Sequence, residues 1–352
     1  MVKNVIILGL LVLALGRNNF RPFPEDDGHH EKIDEEISRR PKTPRPPQGD
    51  FRPVIGILSV PIFPYNTWNT TATTYLAASY IKYVEMGGAR VVPIRSDSSF
   101  AELDFLFPRL NGILFPGGTI YMFDNSTYPV PTLGADFAAK ACYLYNKVKQ
   151  ANDNGIYYPL WGTCMGFETI QVCENIEYAT LGNFNGEPAY IRSNNFTKLA
   201  KDSYIFEALG KHYGDIIRET MSKKETSLLS HIHGIPTSIY TYQNNLTSFY
   251  NVLSTMHDKS GNPFIAMIEA KNYPIYGTQF HPEKNIYEWE PTSPQPHDPF
   301  SVMVSTYFSN FFVSEARRNN NTFVSEQELE PYLIYNYSPL YTNNYFTQTY
   351  EF

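Results

Sequence analysis

Residues 158–166 read Tyr-Pro-Leu-Trp-Gly-Thr-Cys-Met-Gly, a short apolar run that ends in a glycine-containing turn. The apolar run has the length of a buried strand, and Met165–Cys173 after it has the pattern of a helix. Cys164 is therefore expected where a strand turns sharply into a helix. Gly162 and Gly166 lie two positions on either side of it, where glycine relieves crowding between the strand and the helix.

Short apolar strands alternate with helical segments on both sides of this turn. Residues 54–60, 90–94 and 112–115 are β-branched or apolar runs typical of buried strands. Helices are predicted at 71–86, 100–110, 132–151 and 302–318, and further strands at 251–255, 264–269 and 274–280. This alternation predicts βαβ units, and therefore an α/β fold whose mostly parallel sheet is covered by helices on both faces.

The first 16 residues have the features of a secretory signal peptide. A positive start at Met1–Lys3 precedes an apolar run from Val5 to Leu15, with small residues at its end. The run is short for a membrane span, which leaves an uncleaved anchor as the less favoured alternative. Residues 17–50 are charged and proline-rich, which predicts a disordered linker or propeptide. A catalytic domain is expected at 51–318, with an irregular, Tyr-rich extension at 319–352 packed on it.

Charge and glycosylation motifs limit the partners and the compartment. The formal net charge of −7 argues against a nucleic-acid partner, because no basic stripe offsets it. No later apolar stretch is long enough for a membrane span, so no membrane contact is expected after signal cleavage. Together with the signal peptide, six sequons predict a glycoprotein of the lysosome, the vacuole or the extracellular space; their asparagines are Asn69, Asn125, Asn195, Asn245, Asn320 and Asn336.

The three cysteines are too few for a disulfide framework, and their odd number leaves at least one thiol free. Cys142 and Cys173 lie in helical apolar patterns and are expected to be inert core thiols. Cys164 differs from them, because a helix N-terminus beside it favours the reactive thiolate. Cys164 is therefore the predicted nucleophile.

A thiol nucleophile needs a base, and the base needs a group that orients it. Gln279-Phe-His-Pro-Glu283 directly follows a predicted strand at 275–278. Because parallel strands bring their carboxyl ends to one edge of the sheet, His281 is expected to meet Cys164 there. Glu283 then accepts the other ring N–H of His281 and fixes its tautomer.

Acyl transfer also requires hydrogen-bond donors for the developing oxyanion. The sequence Phe-Pro-Gly-Gly at 115–118 ends a neighbouring strand, and its backbone N–H groups at Gly117 and Gly118 are candidates. The N–H of Met165, next to the nucleophile, is the further candidate. A simple tight turn is the alternative for this stretch, and it does not exclude the donor role. No metal or other cofactor is expected, because the His and Asp residues lack zinc-ligand spacing.

Four motifs in one order carry a resemblance to a known family. They are Tyr75-Leu-Ala-Ala-Ser-Tyr-Ile-Lys-Tyr, Asn111-Gly-Ile-Leu-Phe-Pro-Gly-Gly, Leu160-Trp-Gly-Thr-Cys-Met-Gly-Phe-Glu and Tyr276-Gly-Thr-Gln-Phe-His-Pro-Glu-Lys. From about residue 52 to about residue 341 the chain resembles the gamma-glutamyl hydrolases, also called folylpolyglutamate hydrolases. The resemblance implies a flavodoxin-like three-layer α/β sandwich of the class I glutamine-amidotransferase-like type.

The resemblance also implies an activity and a set of site residues. The activity is hydrolysis of γ-glutamyl bonds in folylpolyglutamates, with water as the second substrate, and a homodimer is a common form of the family. Cys164 and His281 match the family's nucleophile and catalytic histidine. His231 matches a second active-site histidine, but His233 stands two positions later where animal enzymes have an aromatic residue, so either imidazole could face the substrate. The positions lining the substrate's glutamyl end are matched by Tyr80, Glu168 and Gln279.

Two other functions are compatible with the same residues. A glutamine amidotransferase-like glutaminase shares the fold and the triad but needs a partner domain that uses ammonia. A non-catalytic secreted binding protein on the same scaffold is the alternative from a different class. The presence of Cys164, His281 and Glu283 together favours an enzyme, because a decayed site usually loses one of them.

Overall fold

The computed structural model describes residues 52–62, 70–120, 131–175, 180–242, 244–291, 293–342 and 346–352. The predicted signal peptide, the predicted linker and two sequon asparagines, Asn69 and Asn125, lie outside these ranges. Within them, no helix combines the length and apolar character that a membrane crossing requires.

The strands of the described ranges form one large sheet and three small ones. They are β1 (Val54–Leu58), β2 (Val60–Pro61), β3 (Thr74–Ala77), β4 (Arg90–Ile94), β5 (Gly112–Phe115), β6 (Leu160–Thr163), β7 (Gly182–Asn183), β8 (Tyr190–Arg192), β9 (Asn195–Phe196), β10 (Ser227–Leu229), β11 (His233–Gly234), β12 (Tyr250–His257), β13 (Pro263–Ala270), β14 (Ile275–Thr278), β15 (Leu340–Tyr341) and β16 (Gln348–Glu351).

The helices of the same ranges cover the sheet. They are α1 (Ala78–Met86), α2 (Phe100–Leu106), α3 (Pro131–Asp153), α4 (Met165–Asn175), α5 (Tyr204–Glu207), α6 (Lys211–Lys223), α7 (Ile239–Tyr242), α8 (Asn244–Phe249), α9 (Lys284–Tyr287), α10 (Pro299–Ala316) and α11 (Glu326–Leu329). Short 3₁₀ turns lie at Phe107–Arg109, Lys198–Asp202, Glu330–Tyr332 and Ile334–Asn336.

The large sheet has the order β4-β1-β5-β6-β14-β13-β12-β9. Its first five strands are parallel, as predicted, whereas the last three are antiparallel to their neighbours. The reason for the change lies in two short connections, residues 258–262 between β12 and β13 and residues 271–274 between β13 and β14. A connection this short forms a hairpin, whereas a parallel pair needs a long crossover.

The two faces of the sheet enter two separate hydrophobic cores. In β1, Val54 and Leu58 belong to the core shared with α2, α3 and α4, while Ile55 and Ile57 belong to the core shared with α1, α6 and α10. This alternation follows from the two-residue period of a strand. The predicted three-layer α/β arrangement is therefore confirmed.

One helix begins later than its sequence pattern suggests. Residues 74–77, predicted as the first turns of a helix at 71–86, form β3, which pairs with β16 and β2. The helical apolar spacing was outweighed by pairing with a strand more than 270 positions away, and α1 begins only at Ala78. The segment at 319–352, expected to be irregular, accordingly contains α11 and the strands β15 and β16.

Two cysteines expected as free core thiols are bonded to each other. Cys142 in α3 and Cys173 in α4 form a disulfide, with their Cα atoms 5.1 Å apart. The expectation of inert thiols was wrong because α3 and α4 pack side by side on the same face of the sheet, which the spacing of 31 positions does not reveal. Cys164 is left as the free cysteine.

Candidate active site

Cys164 occupies a strained turn at the carboxyl edge of the sheet. It joins β6 to α4 with φ at +52°, a conformation that residues other than glycine seldom adopt. Two hydrogen bonds hold this backbone: the Cys164 N–H donates to the Thr278 carbonyl at 2.8 Å, and the Cys164 carbonyl accepts from the Glu168 N–H at 2.9 Å. The neighbouring strand β14 and the first turn of α4 therefore fix the direction of the thiol.

The two glycines beside Cys164 are required by close backbone contacts. A Cβ atom on Gly166 would lie 2.0 Å from the Phe115 carbonyl oxygen, and one on Gly162 would lie 2.6 Å from the Gly166 carbonyl oxygen. Neither contact can be relieved by a side-chain rotation, because the opposing atoms belong to backbone. The G-x-C-x-G spacing therefore reflects the close packing of α4 against β5 and β6.

His281 and Glu283 form a buried pair after β14. The Nδ1 atom of His281 lies 2.7 Å from Glu283 Oε1, and the two residues are 4% and 1% exposed. The backbone N–H of His281 donates to the Leu228 carbonyl at 2.9 Å. Burial lowers the pKa of His281, while the Glu283 carboxylate opposes that shift. The imidazole is therefore a neutral base with one nitrogen directed at a carboxylate.

Gly117 shows that His281 and Cys164 lie side by side. The position a Gly117 Cβ would occupy is 2.8 Å from His281 Cε1 and 3.2 Å from Cys164 Cβ, which places these two atoms within about 6 Å of each other. Any side chain at 117 would enter the space between Cys164 and the His281 ring. The structure thus brings together the Cys, His and Glu that the sequence singles out.

The thiol is enclosed and protonated at rest. Burial raises the pKa of the Cys164 thiol, and the Glu168 carboxyl acts in the same direction. The Lys284 ammonium and the Met165 backbone N–H lower the pKa but do not offset burial. A thiol in this state could act as a nucleophile only after its proton moved to a neighbouring base, and the neutral imidazole of His281 is such a group.

The predicted oxyanion donors are not equivalent. The Gly117 N–H donates to the Tyr80 hydroxyl at 2.7 Å, so Tyr80 already occupies it. The same hydroxyl lies 3.3 Å from His281 Nδ1 and is fully buried. Within the described ranges the Gly118 N–H has no hydrogen-bond partner, and the Met165 N–H is directed at the Cys164 sulfur. Gly118 and Met165 are therefore the better placed pair of donors.

The side chains of His231 and His233 have different surroundings. His231 is buried, with its ring 4.8 Å from that of Phe264 and 6.3 Å from that of Phe184. Its Nδ1 lies 2.7 Å from the His233 carbonyl oxygen, so Nδ1 carries the proton. Its Nε2 is buried, and so is the Nε2 of His233, so this atom does not separate the two residues. The imidazole of His233 is only half-buried, in β11. The geometry favours His231 as the imidazole of the site, with His233 holding it through the backbone.

His231 is neutral in this position. Burial lowers the pKa of His231 to about 4, and the nearby His281 acts in the same direction. The preceding residue, Ser230, points its carbonyl at the thiol, with 3.7 Å between the oxygen and Cys164 Sγ. The loop from 230 to 233 therefore forms one wall of the site.

Glu168 and Gln279 form a second buried pair beside the thiol. The Gln279 amide donates to Glu168 Oε1 at 2.8 Å and lies 3.8 Å from Cys164 Sγ. Burial raises the pKa of Glu168 to about 7, with the Gln279 bond opposing the shift. Below that pH the carboxyl is neutral; above it, a negative charge opposes formation of the Cys164 thiolate.

We expect Glu168→Gln to change the pH dependence of the reaction. An amide keeps an oxygen for the Gln279 bond but cannot ionise, so the ratio of variant to wild-type kcat/KM should rise as the pH passes through about 7. The same ionisation lowers the free energy of unfolding of the wild type as the pH rises from about 4.5 to 7. The reason is that the native state holds the Glu168 proton more tightly than the unfolded chain does. The relative melting temperature of the variant should therefore rise over that range. A kcat/KM ratio independent of pH would contradict the assignment.

The four described sequon asparagines are on the surface. Asn195, Asn245, Asn320 and Asn336 are all exposed, although the Asn336 amide also donates to the Glu330 and Leu333 carbonyls. The sequence analysis did not single out Lys284, whose charge lowers the pKa of the Cys164 thiol and of His281. Its position directly after Glu283 was the available signal.

The sequence matches a known family and several named relatives. The Peptidase C26 family model matches residues 53–283. Gamma-glutamyl hydrolase B of Dictyostelium discoideum is 39% identical over 82% of this chain and 79% of its own length. Gamma-glutamyl hydrolase of Homo sapiens is 36% identical over 87% of this chain and 92% of its own. Gamma-glutamyl hydrolase 1 of Arabidopsis thaliana is 32% identical over 86% and 83%.

Proposed function

The chain belongs to the Peptidase C26 family and is a cysteine-type hydrolase, and we propose that it cleaves γ-glutamyl bonds of folylpoly-γ-glutamates. Antifolate polyglutamates are expected to be cleaved in the same way, with release of glutamate or oligoglutamate. The observation that carries the proposal is the enclosed Cys164 beside the His281–Glu283 pair, in a chain whose named relatives are gamma-glutamyl hydrolases.

The reaction begins with the nucleophile. His281 Nε2 takes the thiol proton, because Nδ1–H is held by Glu283. The Cys164 sulfur then attacks the γ-carbonyl carbon, and the N–H groups of Gly118 and Met165 bind the resulting oxyanion. His281 returns its proton to the departing amine nitrogen as the C–N bond breaks. The acyl group is left on sulfur as a thioester.

Water completes the cycle. His281 takes a proton from a water molecule, whose oxygen attacks the thioester carbon. Collapse of the second oxyanion breaks the C–S bond, releases the new carboxylic acid and returns the proton to Cys164. Each proton is therefore passed through His281.

Product analysis on a folate pentaglutamate tests the proposed activity. We expect shortened folates together with glutamate or oligoglutamate, and the product lengths will also distinguish cleavage at the chain end from cleavage within it. Parallel incubation with free glutamine addresses the glutaminase alternative, for which ammonia release would exceed γ-glutamyl cleavage. Turnover of neither compound, with no labelling of Cys164 by a thiol reagent at mildly acidic pH, would favour a binding protein instead.

A lumenal or extracellular location is also proposed, in the lysosome, in the vacuole or outside the cell. The Cys142–Cys173 disulfide supports an oxidising compartment. Exposure of Asn195, Asn245, Asn320 and Asn336 supports glycosylation on the secretory route.

A further inference from the structure

Tyr80 contacts two parts of the site at once. It lies in the first turn of α1, is 1% exposed, and its hydroxyl accepts the Gly117 N–H at 2.7 Å. The same oxygen lies 3.3 Å from His281 Nδ1, whose proton is directed at Glu283, 2.7 Å away. The Tyr80 oxygen is therefore engaged by the protein itself, and its shorter contact is with the loop that carries the Gly118 oxyanion donor.

Residues 116–118, here named the oxyanion loop, contain few groups that could hold them in place. None of the three side chains can donate or accept a hydrogen bond, and Pro116 has no backbone N–H. The Gly117 N–H binds Tyr80, and the Gly118 N–H has no partner within the residues that the structure describes. Because Gly117 has no Cβ to restrict its backbone, the direction of the next N–H, that of Gly118, depends on the bond to Tyr80.

The oxyanion loop packs close to both the nucleophile and the second donor. A Cβ atom on Gly118 would lie 2.9 Å from Met165 Cε, and one on Gly117 would lie 2.7 Å from the Tyr80 oxygen and 3.2 Å from Cys164 Cβ. A small displacement of the loop would therefore change the distance from the Gly118 N–H to an oxygen on the carbon that Cys164 attacks.

The Tyr80 hydroxyl is neutral. Burial raises the pKa of Tyr80 well above its ordinary value, and the nearby Glu283 carboxylate acts in the same direction. The phenol therefore keeps its proton at neutral pH, supplies no charge to the reaction and accepts no proton from Cys164. The contribution left to it is geometric, through its hydrogen bond to Gly117.

We propose that Tyr80 is a positioning residue, whose hydroxyl holds the Gly117 N–H so that the Gly118 N–H points at the oxyanion formed on the γ-carbonyl. This inference rests on the proposed γ-glutamyl hydrolase activity. It differs from the place beside the substrate that the family resemblance implies for Tyr80, because the residue acts on the transition state through the oxyanion loop rather than by contact with the substrate.

Tyr80→Phe, with Tyr83→Phe as its matched control, tests the role in turnover. Tyr83 lies one turn later in α1, and its buried hydroxyl has no hydrogen-bond partner among the described residues. We expect Tyr80→Phe to lower kcat on a γ-glutamyl-glutamate compound by about 30-fold, less than the loss on outright removal of an oxyanion donor, while KM changes by less than about twofold. Tyr83→Phe should leave both constants unchanged.

Alkylation by iodoacetamide separates the oxyanion loop from the base. Cys164 is the free cysteine, and its thiolate displaces iodide as the C–S bond forms, with the thiol proton left on His281. This reaction needs the base but forms no oxyanion. The rate of alkylation of Cys164 should therefore be the same within about twofold in the wild type, Tyr80→Phe and Tyr83→Phe.

Three results in these variants would overturn the inference. A rise in KM with an unchanged kcat in Tyr80→Phe would mean that the hydroxyl contacts the substrate. An equal fall in kcat and in the alkylation rate would mean that Tyr80 acts through His281 and not through the oxyanion loop. An equal loss of kcat in Tyr83→Phe would mean that any buried hydroxyl of α1 has the same effect.

Hydrogen exchange of the Gly117 amide gives a test that needs no turnover. With isotope-labelled glycine, this amide should be protected in the wild type and should lose most of its protection in Tyr80→Phe. Exchange in the wild type at the rate of an unstructured chain would overturn the inference even if the variant fails to fold. If the wild type protects Gly117 but cleaves no γ-glutamyl compound, the proposed function fails and the role of Tyr80 in it fails too. Normal cleavage by the wild type with an unchanged kcat in Tyr80→Phe overturns the inference alone.

Discussion

Replacement of Cys164 by alanine should reduce turnover of a γ-glutamyl substrate by at least about 10⁴-fold while the protein remains folded. No other thiol can substitute, because Cys142 and Cys173 are joined in a disulfide. Losses of this size are expected when the nucleophile of a triad is removed, since the remaining groups have nothing to activate. The measurement is single-turnover product release by the wild type and the variant at equal protein concentration.

The fold of Cys164→Ala should be unaffected for a local reason. Alanine has the same Cβ at φ +52°, and the side-chain hydrogen bonds of the sulfur are long, at 3.7 Å to the Ser230 carbonyl and 3.8 Å to the Gln279 amide. We expect the free energy of unfolding to change by no more than about 1 kcal/mol. The double replacement of Cys142 and Cys173 by alanine is the matched control: it should cost about 3–4 kcal/mol of stability by opening a 31-residue link and should preserve turnover below its melting temperature. Retained turnover in Cys164→Ala would refute the assignment of the nucleophile.

The parts of the site that could be predicted are those with a local signature. A strand, a sharp turn with two glycines and a helix follow one another around Cys164. The spacing of the apolar residues and the amino-acid composition are therefore enough to place the thiol at a sheet edge. His281 and Glu283 directly follow β14, which is adjacent and parallel to β6. Parallel neighbours share an edge, so these side chains meet without further information.

The unpredicted parts depend on contacts between distant segments. The start of α1 is set by pairing of β3 with the C-terminal β16, and the Cys142–Cys173 bond depends on how α3 packs against α4. The hydrogen bond from Gly117 to Tyr80 joins a loop to a helix 37 positions earlier. Periodicity reports which face of an element is buried, but not which partner covers that face.

The burial of the His231 ring, compared with the half-buried ring of His233, also depends on contacts between distant segments. The two residues are only two positions apart, and neither hydrophobic period nor spacing predicts which ring turns inward. Only the fold packs Phe264 against the ring of His231 and turns the His233 carbonyl toward its Nδ1. Side-chain direction in a loop is therefore decided by packing rather than by spacing.

Replacement of Glu283 by glutamine should lower kcat/KM by about 10³-fold, although the two side chains have almost the same shape. In one orientation the amide oxygen faces His281 Nδ1, and the buried amide nitrogen takes the place of Oε2, which has no hydrogen-bond partner among the described residues. In the other orientation the amide donates to Nδ1, which moves the ring proton to Nε2 and prevents it from accepting the thiol proton. Neither orientation supplies the negative charge that stabilises the imidazolium formed during the reaction.

The pH profile distinguishes this role from a structural one. The carboxylate raises the pKa of His281 against the effect of burial, so its removal should lower that pKa further. The acidic limb of the kcat/KM profile, where His281 must be neutral, should therefore shift to lower pH in Glu283→Gln while the plateau falls. Glu288→Gln is the matched control, since it changes another buried glutamate whose bond to the Thr347 N–H an amide oxygen preserves. A plateau loss in Glu283→Gln without the shift, or an equal loss in Glu288→Gln, would mean that Glu283 supports the fold rather than the base.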